Sequence, residues 1–340
     1  MVERVYLDYN ATAPLRSEAR AAMVAALDLV GNPSSVHAEG RAAKMAIERA
    51  REQVAVAFGA EGADVIFTSG ATEAAALACF GRQVVCSEAC HDALWVQRAD
   101  DGAHATHYAY PAAGSETGII EQSGDHGLVE IVDAAQLFGK APFAFNWSGA
   151  EMALISAHKI GGSKGIGALV VKKGVEVPAI LKGGGQEMGR RSGTENVAAI
   201  VGFGAAARAA GADLDRGIWE AVRARRDLLE AAIEAASADT IFVGQAGKRL
   251  PNTSCFVTPG WKGETQVMSM DLAGFAISAG SACSSGKVKE SRVLRAMGFS
   301  GEEARSAVRV SIGPETTVEQ IERFADAWSN AHRKFRARAA

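Results

Sequence analysis

The feature that most constrains this chain is a series of short, β-rich apolar segments separated by helical or glycine-rich stretches. Near-continuous apolar strands that alternate with helices are typical of a sheet covered on both faces. The pattern predicts an α/β fold with an amphipathic helix over 38–58 that ends at Gly59. The predicted strands cover residues 65–68, 83–86, 129–133, 153–156 and 167–171.

The character of the sequence changes near residue 213, where a long helix over 216–236 is followed by strands near 255–258 and 307–311. This predicts a second, smaller α+β domain, as a length of 340 residues allows. Thr316 and Glu319 predict a capping box for the last helix. Its apolar stripe is predicted to comprise Val318, Ile321, Phe324, Trp328 and Phe335.

Composition argues against several classes of partner. The 36 basic and 39 acidic residues give a net charge of -3, so there is no overall electrostatic attraction to nucleic acid or to an anionic membrane. No signal core is seen at the N-terminus, and no apolar run approaches the roughly 20 residues that span a bilayer. The five cysteines are irregularly spaced, without a CxxC pair, and predict reduced thiols and no metal site. We therefore expect a cytoplasmic protein with a small-molecule ligand.

Residues 68–73 predict an anion site, because they follow a strand and open the helix over 74–79. Backbone N–H groups at a helix start, together with the Thr72 hydroxyl, can hold a phosphate, although an ordinary capped helix fits the same pattern. No triphosphate-binding P-loop occurs. Residues 202–207 match a dinucleotide fingerprint only nominally, because they follow a segment of helical character.

Lys159 and Asp133 suggest the chemistry of a pyridine cofactor. Lys159 follows a predicted strand beside His158 and several glycines, where burial could make it a Schiff-base lysine; an ordinary surface lysine is the alternative. Asp133 ends another strand and could hold a proton on a pyridine nitrogen. A phosphate site, a pyridinium partner and an imine lysine at strand ends together predict bound pyridoxal phosphate.

Cys283 is the candidate reactive thiol, because it lies in a run of small residues over 278–286. A catalytic thiol needs access and movement, which such a loop provides. Cys79, Cys86 and Cys255 lie in apolar segments and are interpreted as core residues. Cys90, which adjoins His91, is the rival candidate.

The chain resembles the cysteine desulfurases that supply sulfur for iron–sulfur clusters, within the class V aminotransferases. The resemblance rests on residues 7–14, 31–37, 68–73, 132–136, 156–159 and 183–194 and on the Cys283 segment, in family order. It implies a homodimer with the pyridoxal-phosphate-dependent transferase fold type I. A large cofactor-binding domain, 12–215, would hold a mixed, mostly parallel sheet flanked by helices. Residues 1–11 and 216–340 would form the small domain with the catalytic cysteine.

The resemblance also implies roles for individual residues. Lys159 would carry the cofactor as a Schiff base, Asp133 would pair with the pyridinium nitrogen, and Gln136 would bond the ring hydroxyl. His91 would stack on the ring and help to move protons. The implied phosphate ligands are Thr72, Ser156, His158 and, reaching the partner subunit's site, Thr194. The implied substrate-binding residues are Arg309, for the carboxylate, with Asn10 and Ser115.

The implied reaction converts L-cysteine to L-alanine. Lys159 would remove the α-proton, and the Cys283 thiolate would attack the substrate sulfur to form a persulfide. The sulfur would then pass to an acceptor protein, for which an iron–sulfur scaffold is one candidate. The alternatives are another class V enzyme, such as a selenocysteine lyase or a small-amino-acid aminotransferase, and a degenerate sulfur-transfer scaffold.

The chain departs from the family pattern in two places. The segment between His91 and Asp133 is short, which predicts the loss of peripheral secondary structure from the large domain. Ser115 stands where the family has an asparagine that contacts the ring oxygen. A serine hydroxyl can donate a hydrogen bond but has a shorter reach.

Overall fold

The computed structural model describes residues 4–100, 102–122, 124, 126–280 and 290–339. The strands are β1 Val5–Tyr6, β2 Asp64–Thr68, β3 Val84–Cys86, β4 His107–Pro111, β5 Val129–Asp133, β6 Met152–Ser156, β7 Gly167–Val171, β8 Ile241–Phe242, β9 Thr253–Val257, β10 Phe275–Ala276, β11 Ser278–Ala279 and β12 Ala307–Ser311. The α-helices are α1 Ser17–Leu27, α2 Ala38–Ala57, α3 Ala71–Cys79, α4 Asp92–Trp95, α5 Val197–Asp215, α6 Ile218–Ala236, α7 Gly263–Leu272, α8 Arg292–Ala296, α9 Gly301–Arg305 and α10 Val318–Ala339.

The chain divides into two compact units. The first comprises Thr12–Ala112 and Glu121–Arg216. The second comprises the described parts of Met1–Ala11, Ala113–Ile120 and Gly217–Ala340.

The first unit is built on a six-stranded sheet with the order β2-β7-β6-β5-β4-β3. Strands β3 to β6 are parallel, and β7 is antiparallel to both of its neighbours. The five strands predicted from apolar segments are confirmed, with ends that shift by at most one residue. Strand β4 escaped prediction because its sequence, His-Tyr-Ala-Tyr-Pro, has no aliphatic run. It lies within the shortened segment and completes the parallel order.

Helices α1, α2 and α5 pack together in the first unit. Helix α2 begins at the predicted residue, and Gly59 after its end has the positive φ of 61° that a helix terminator needs. The expectation that no apolar segment is long enough to span a bilayer is wrong for helix α5, which is long and apolar enough to cross a membrane. In this protein 56% of its most apolar 18 residues are buried. Gly204 lets it approach α2, because a Cβ there would lie 2.7 Å from the Ala50 Cα. The dinucleotide match at 202–207 is therefore helix packing.

The second unit contains a four-stranded antiparallel sheet, β11-β12-β9-β8, and a separate parallel pair, β1 and β10. Helix α10 packs on α6, and its stripe residues Phe324 and Trp328 contact Phe275 and Phe256, although Val318 is 47% exposed. The predicted capping box is wrong by one residue. Thr317 and Gln320 exchange the capping hydrogen bonds, because the Thr316 hydroxyl accepts from the Gly313 N–H.

Candidate active site

The carboxyl edge of the six-stranded sheet gathers the predicted cofactor residues of the first unit. Strands β2, β3, β5 and β6 run in the same direction, so the loops that follow them leave from one edge. This is the edge at which α/β sheets bind ligands. We call its predicted residues the sheet-edge cradle: Thr72, His91, Asp133, Gln136, Ser156, His158 and Lys159.

One corner of the sheet-edge cradle is the start of helix α3. Gly70 precedes the helix and supplies no side-chain cap, and exposed Thr72 lies in the first turn. Gly167 of β7 lies against this point, since a Cβ there would be 2.8 Å from the Gly70 Cα. An uncapped helix N-terminus presents N–H groups and a partial positive charge. The predicted anion site is therefore geometrically available.

His158 is the clearest sign that this edge is built for a ligand. The side chain is partly buried, and within the described part of the chain its Nδ1 has no hydrogen-bond partner. Burial, together with the charges of Lys159, Lys164 and Lys140, lowers the pKa of His158 to about 4. A neutral imidazole near several ammonium groups suits an anion that accepts hydrogen bonds. Ser156, also predicted to bind phosphate, is buried at the end of β6.

Asp133, His91 and Lys159 are close enough to interact electrostatically. Burial raises the pKa of Asp133, while a hydrogen bond from the Ala135 N–H and the charges of His91 and Lys159 oppose that rise. A buried carboxylate at a strand end is stabilised by a cation placed beside it. The structure thus brings together the three residues that sequence reasoning assigned to the reacting centre.

His91 is held in a defined orientation as the N-cap of helix α4. Its Nδ1 accepts a hydrogen bond of 3.1 Å from the Ala93 N–H. Because Nδ1 is the acceptor, the neutral ring carries its proton on Nε2. The nitrogen that can donate or exchange a proton is therefore Nε2.

Gln136 is buried and is oriented by a residue that sequence reasoning missed. Lys140, 3% exposed, donates from Nζ to Gln136 Oε1 over 2.8 Å. This bond sets the orientation of the amide, with the oxygen as acceptor and the nitrogen as donor. In the sequence, only the four-residue spacing between Gln136 and Lys140 suggests that the two side chains meet. Because lysines are seldom buried, this spacing alone does not predict the contact.

Residues 183–194, part of the family resemblance, are held by a strained and buried anchor. Glu187 and Met188 have positive φ angles of 48° and 58°, which non-glycine residues seldom adopt. The Glu187 carboxylate bonds both terminal nitrogens of Arg51, at 2.7 and 3.1 Å, and accepts from the Phe67 N–H at 2.9 Å. These bonds tie the segment to β2.

A second anchor ties the same segment to helix α3. Arg191 Nε donates to Glu73 Oε1 over 2.9 Å, and Glu73 also accepts from the Ser69 N–H. Thr194, three residues beyond Arg191, is exposed on the surface of the first unit. Its predicted role toward a partner subunit stays a prediction.

The second unit holds Arg309, the predicted carboxylate-binding residue, in β12. The side chain is buried, and its Nη1 donates to the main-chain oxygen of Ser115 over 2.7 Å. Its Nη2 donates to Asp8 Oδ1 over 2.8 Å. Ser115 thus contacts Arg309 through its backbone, so this contact does not depend on the replaced asparagine.

Asn10, predicted to bind substrate, lies in a buried polar network of the second unit. It is fully buried, donates to Thr253 Oγ1 over 2.8 Å and accepts from Asn252 Nδ2 over 3.0 Å. These bonds give Asn10 a structural role at the start of the chain. A contact with substrate stays a prediction.

Three of the four described cysteines are poorly suited to act as nucleophiles. Burial raises the pKa values of Cys79 and of Cys255 to about 12. The pKa of Cys90, the rival candidate for the reactive thiol, is raised mainly by a hydrogen bond with Cys86 and also by burial. The thiolate is the reactive form, so these three thiols are inert near neutral pH. Cys283 lies outside the described residues.

Comparison with known proteins places the chain in a characterised group. The family model described as Aminotransferase class-V matches residues 5–100 and 115–324. Residues 101–114, which it leaves out, lie within the segment that sequence analysis found to be short.

Two relatives and one solved structure illustrate the similarity. "Cysteine desulfurase" of Cereibacter sphaeroides is 38% identical over 369 residues, covering 95% of this chain and 94% of that protein. "Cysteine desulfurase IscS" of Dictyoglomus turgidum is 35% identical over 365 residues, covering 94% and 92%. A NifS-like protein from Rickettsia africae has a TM-score of 0.88 at 27% identity, covering 97% of this chain and 99% of that one. This last similarity confirms the predicted fold class.

Proposed function

We propose that this chain, which belongs to the class V aminotransferase family, is a cysteine desulfurase that converts L-cysteine to L-alanine and retains the sulfur as a persulfide. The observation that carries the proposal is the 38% identity to a cysteine desulfurase over 95% of the chain. The predicted family, enzyme class and pyridoxal 5′-phosphate cofactor are confirmed.

The sheet-edge cradle fits pyridoxal 5′-phosphate. The uncapped start of helix α3 and the unpartnered Nδ1 of His158 suit its phosphate, with Thr72 and Ser156 as further donors. Asp133, whose pKa is raised by burial, would be stabilised as a carboxylate beside a pyridinium cation. Gln136, with its oxygen bonded to Lys140, would donate to the ring hydroxyl. We assign these residues to cofactor binding.

The cofactor, when bound, supplies an aldehyde that condenses with amines and a protonated ring that draws electrons from the substrate α-carbon. We assign Lys159 Nζ as the amine that holds the cofactor and, when displaced, as the base that takes the α-proton. His91 Nε2 would exchange a proton with the reacting groups, since its Nδ1 is engaged with the Ala93 N–H. Arg309 would hold the substrate carboxylate.

We assign sulfur transfer to Cys283. Its thiolate would attack the sulfur of L-cysteine, forming a sulfur–sulfur bond while the carbon–sulfur bond breaks, and the released carbon would take a proton to give alanine. Enzyme thiol plus cysteine thus become enzyme persulfide plus alanine, without an external oxidant. The raised pKa values of Cys79, Cys90 and Cys255 support this assignment, because they disfavour three of the four other thiols.

We further propose a cytoplasmic homodimer that delivers sulfur to an acceptor protein, with an iron–sulfur scaffold as the first candidate. The cytoplasm is supported by the free thiols of the described cysteines. A dimer is supported by exposed apolar side chains of the first unit and by the anchored segment that ends at Thr194. The strongly exposed members include Val24, Leu27, Val30 and Val36 near the start of the chain.

The decisive experiment incubates the purified, cofactor-loaded protein with L-cysteine. We expect alanine, together with a persulfide at Cys283 detected by mass spectrometry. Cys283→Ala should abolish sulfur release, whereas Cys79→Ala, which removes a buried thiol, should retain it. Alanine formation without a persulfide in the native protein, or full sulfur release by Cys283→Ala, would refute the desulfurase assignment and favour another class V reaction.

A further inference from the structure

Asp8 of the second unit has both of its carboxylate oxygens engaged. Oδ1 accepts from Arg309 Nη2 and Oδ2 accepts from the Ser278 hydroxyl, each over 2.8 Å. The Asp8 and Arg309 side chains are only 16% and 9% exposed. Ion pairs this protected from water, with every carboxylate oxygen bonded, have a fixed geometry.

The backbone brings these side chains together. Asp8 forms a parallel β-bridge with Ser311, two residues from Arg309 in β12. Ser278 of β11 is the cross-strand partner of Arg309. The Asp8–Arg309 ion pair therefore connects three neighbouring extended segments. The main-chain pairing of these segments sets the distance between the two side chains.

The Arg309 guanidinium has five N–H groups, of which two are bound by acceptors among the described residues. Nη1 donates to the Ser115 carbonyl and Nη2 to Asp8. In the described part of the chain Nε is buried without a partner. One N–H on each terminal nitrogen thus remains for a bidentate bond to a carboxylate.

We propose that Asp8 is a positioning residue: it holds the Arg309 guanidinium in the one orientation that receives the carboxylate of the amino-acid substrate. This inference rests on the proposed function. An unheld arginine samples many rotamers and must be ordered when the substrate binds. Asp8 also lowers the cost of burying the charge of Arg309, so the substrate carboxylate meets a guanidinium that is already oriented.

The test compares Asp8→Ala and Asp8→Asn in the cofactor-loaded, full-length enzyme. Asp8→Ala removes the acceptor and should raise KM for L-cysteine roughly 10- to 100-fold, the value of one charge-assisted hydrogen bond. Asp8→Asn keeps a carbonyl acceptor and should raise KM about 3- to 10-fold. In both variants kcat should change less than about 3-fold, because Asp8 does not touch the reacting atoms.

Two comparisons separate positioning from a general loss of structure. Cysteamine, which lacks the carboxylate, should compete with L-cysteine equally well in native enzyme and both variants. In an Arg309→Ala background, Asp8→Ala should add no further rise in KM. Asp239→Asn provides the matched control, since Asp239 pairs with Arg336 on the exposed surface of the same unit; its KM should be unchanged.

The outcomes distinguish the two proposals. A native enzyme that does not react with L-cysteine refutes the proposed function. An active native enzyme with an unchanged KM in Asp8→Asn, or an equal effect of Asp8→Ala with and without Arg309, overturns only the role of Asp8. If Asp8→Ala does not fold, as judged by circular dichroism, Asp8→Asn and its cysteamine comparison decide the question.

Discussion

The sheet-edge cradle and the Asp8–Arg309 pair are both polar and largely buried, but they differ in how far the chain satisfies its own charges. In the cradle, His158 has an unpartnered nitrogen and a pKa lowered to about 4, and burial raises the pKa of Asp133. In the pair, the chain provides partners for Asp8 and for both terminal nitrogens of Arg309. The cradle lacks partners that a cofactor would supply, whereas in the pair the chain already holds Asp8 and both terminal nitrogens of Arg309 and leaves the remaining N–H groups of Arg309 for the substrate.

This difference has an energetic reason. A cofactor remains bound through many turnovers, so its phosphate and ring can serve as permanent partners for groups that are unfavourable alone. A substrate leaves after each turnover, so the residue that receives it needs partners of its own. Functional sites commonly sacrifice stability in this way. Variants in the cradle should therefore affect function more than folding, and variants of Asn252, which belongs to the buried network around Asn10 and not to the Asp8–Arg309 pair, should do the reverse.

Lys159→Ala should give the largest functional effect. We expect activity with L-cysteine to fall on the order of 1,000-fold or more, because the variant loses both the covalent attachment and the base. The absorbance band of the covalently bound cofactor should vanish, while the unfolding midpoint in urea of the cofactor-free protein should barely change. Lys172→Ala, at an exposed lysine after β7, is the control. Substantial remaining turnover would remove Lys159 from the reaction.

Asn252→Ala should show the opposite pattern in the second unit. Asn252 donates to Asn10 Oδ1 and to the Ile312 carbonyl, and both acceptors are in buried residues. Losing these two buried hydrogen bonds should lower the free energy of unfolding by about 2–4 kcal/mol. Asn146→Ala, which removes one bond from an exposed asparagine to the Glu61 carbonyl, should cost less than about 0.5 kcal/mol. Equal losses in urea unfolding would contradict the comparison.

The cradle could be predicted from the sequence because its signals are local. Asp133 and Lys159 each come at or just after an apolar strand, and parallel strands bring such positions to one edge. The strand that follows Lys159 proved antiparallel, yet that reversal leaves β2 and β6 in the same direction. The resemblance then supplied roles that strand order alone could not.

The contacts that orient these residues could not be predicted, because they join distant parts of the chain. Asp8 and Arg309 are 301 positions apart, and Arg51 and Glu187 are 136 apart. The hydrophobic periodicity of the sequence does not predict contacts between residues so far apart. The capping box failed for a different reason: the sequence offered two adjacent threonines, and a tertiary contact to Gly313 engages the first.

His158→Gln should give the smallest effect, seen in the pH dependence of stability. In the cofactor-free protein the pKa of His158 is lowered from 6.5 to about 4, so the unfolded chain binds a proton that the folded chain does not. Stability should therefore be complete above pH 6.5 and should decrease as the pH falls from 6.5 toward 4. The limit is one proton, about 1.4 kcal/mol per pH unit, reduced because the ring is only partly buried.

Urea unfolding at pH 7, 6 and 5 tests this expectation. His158→Gln should flatten the pH dependence, while His104→Gln, at an exposed histidine, should leave it unchanged. Saturating the native protein with pyridoxal 5′-phosphate should also flatten it, because a phosphate beside Nδ1 favours the protonated ring and raises its pKa. An unchanged slope in His158→Gln would mean that His158 is not the group left unsatisfied, and the contrast between the cradle and the Asp8–Arg309 pair would lose its main support.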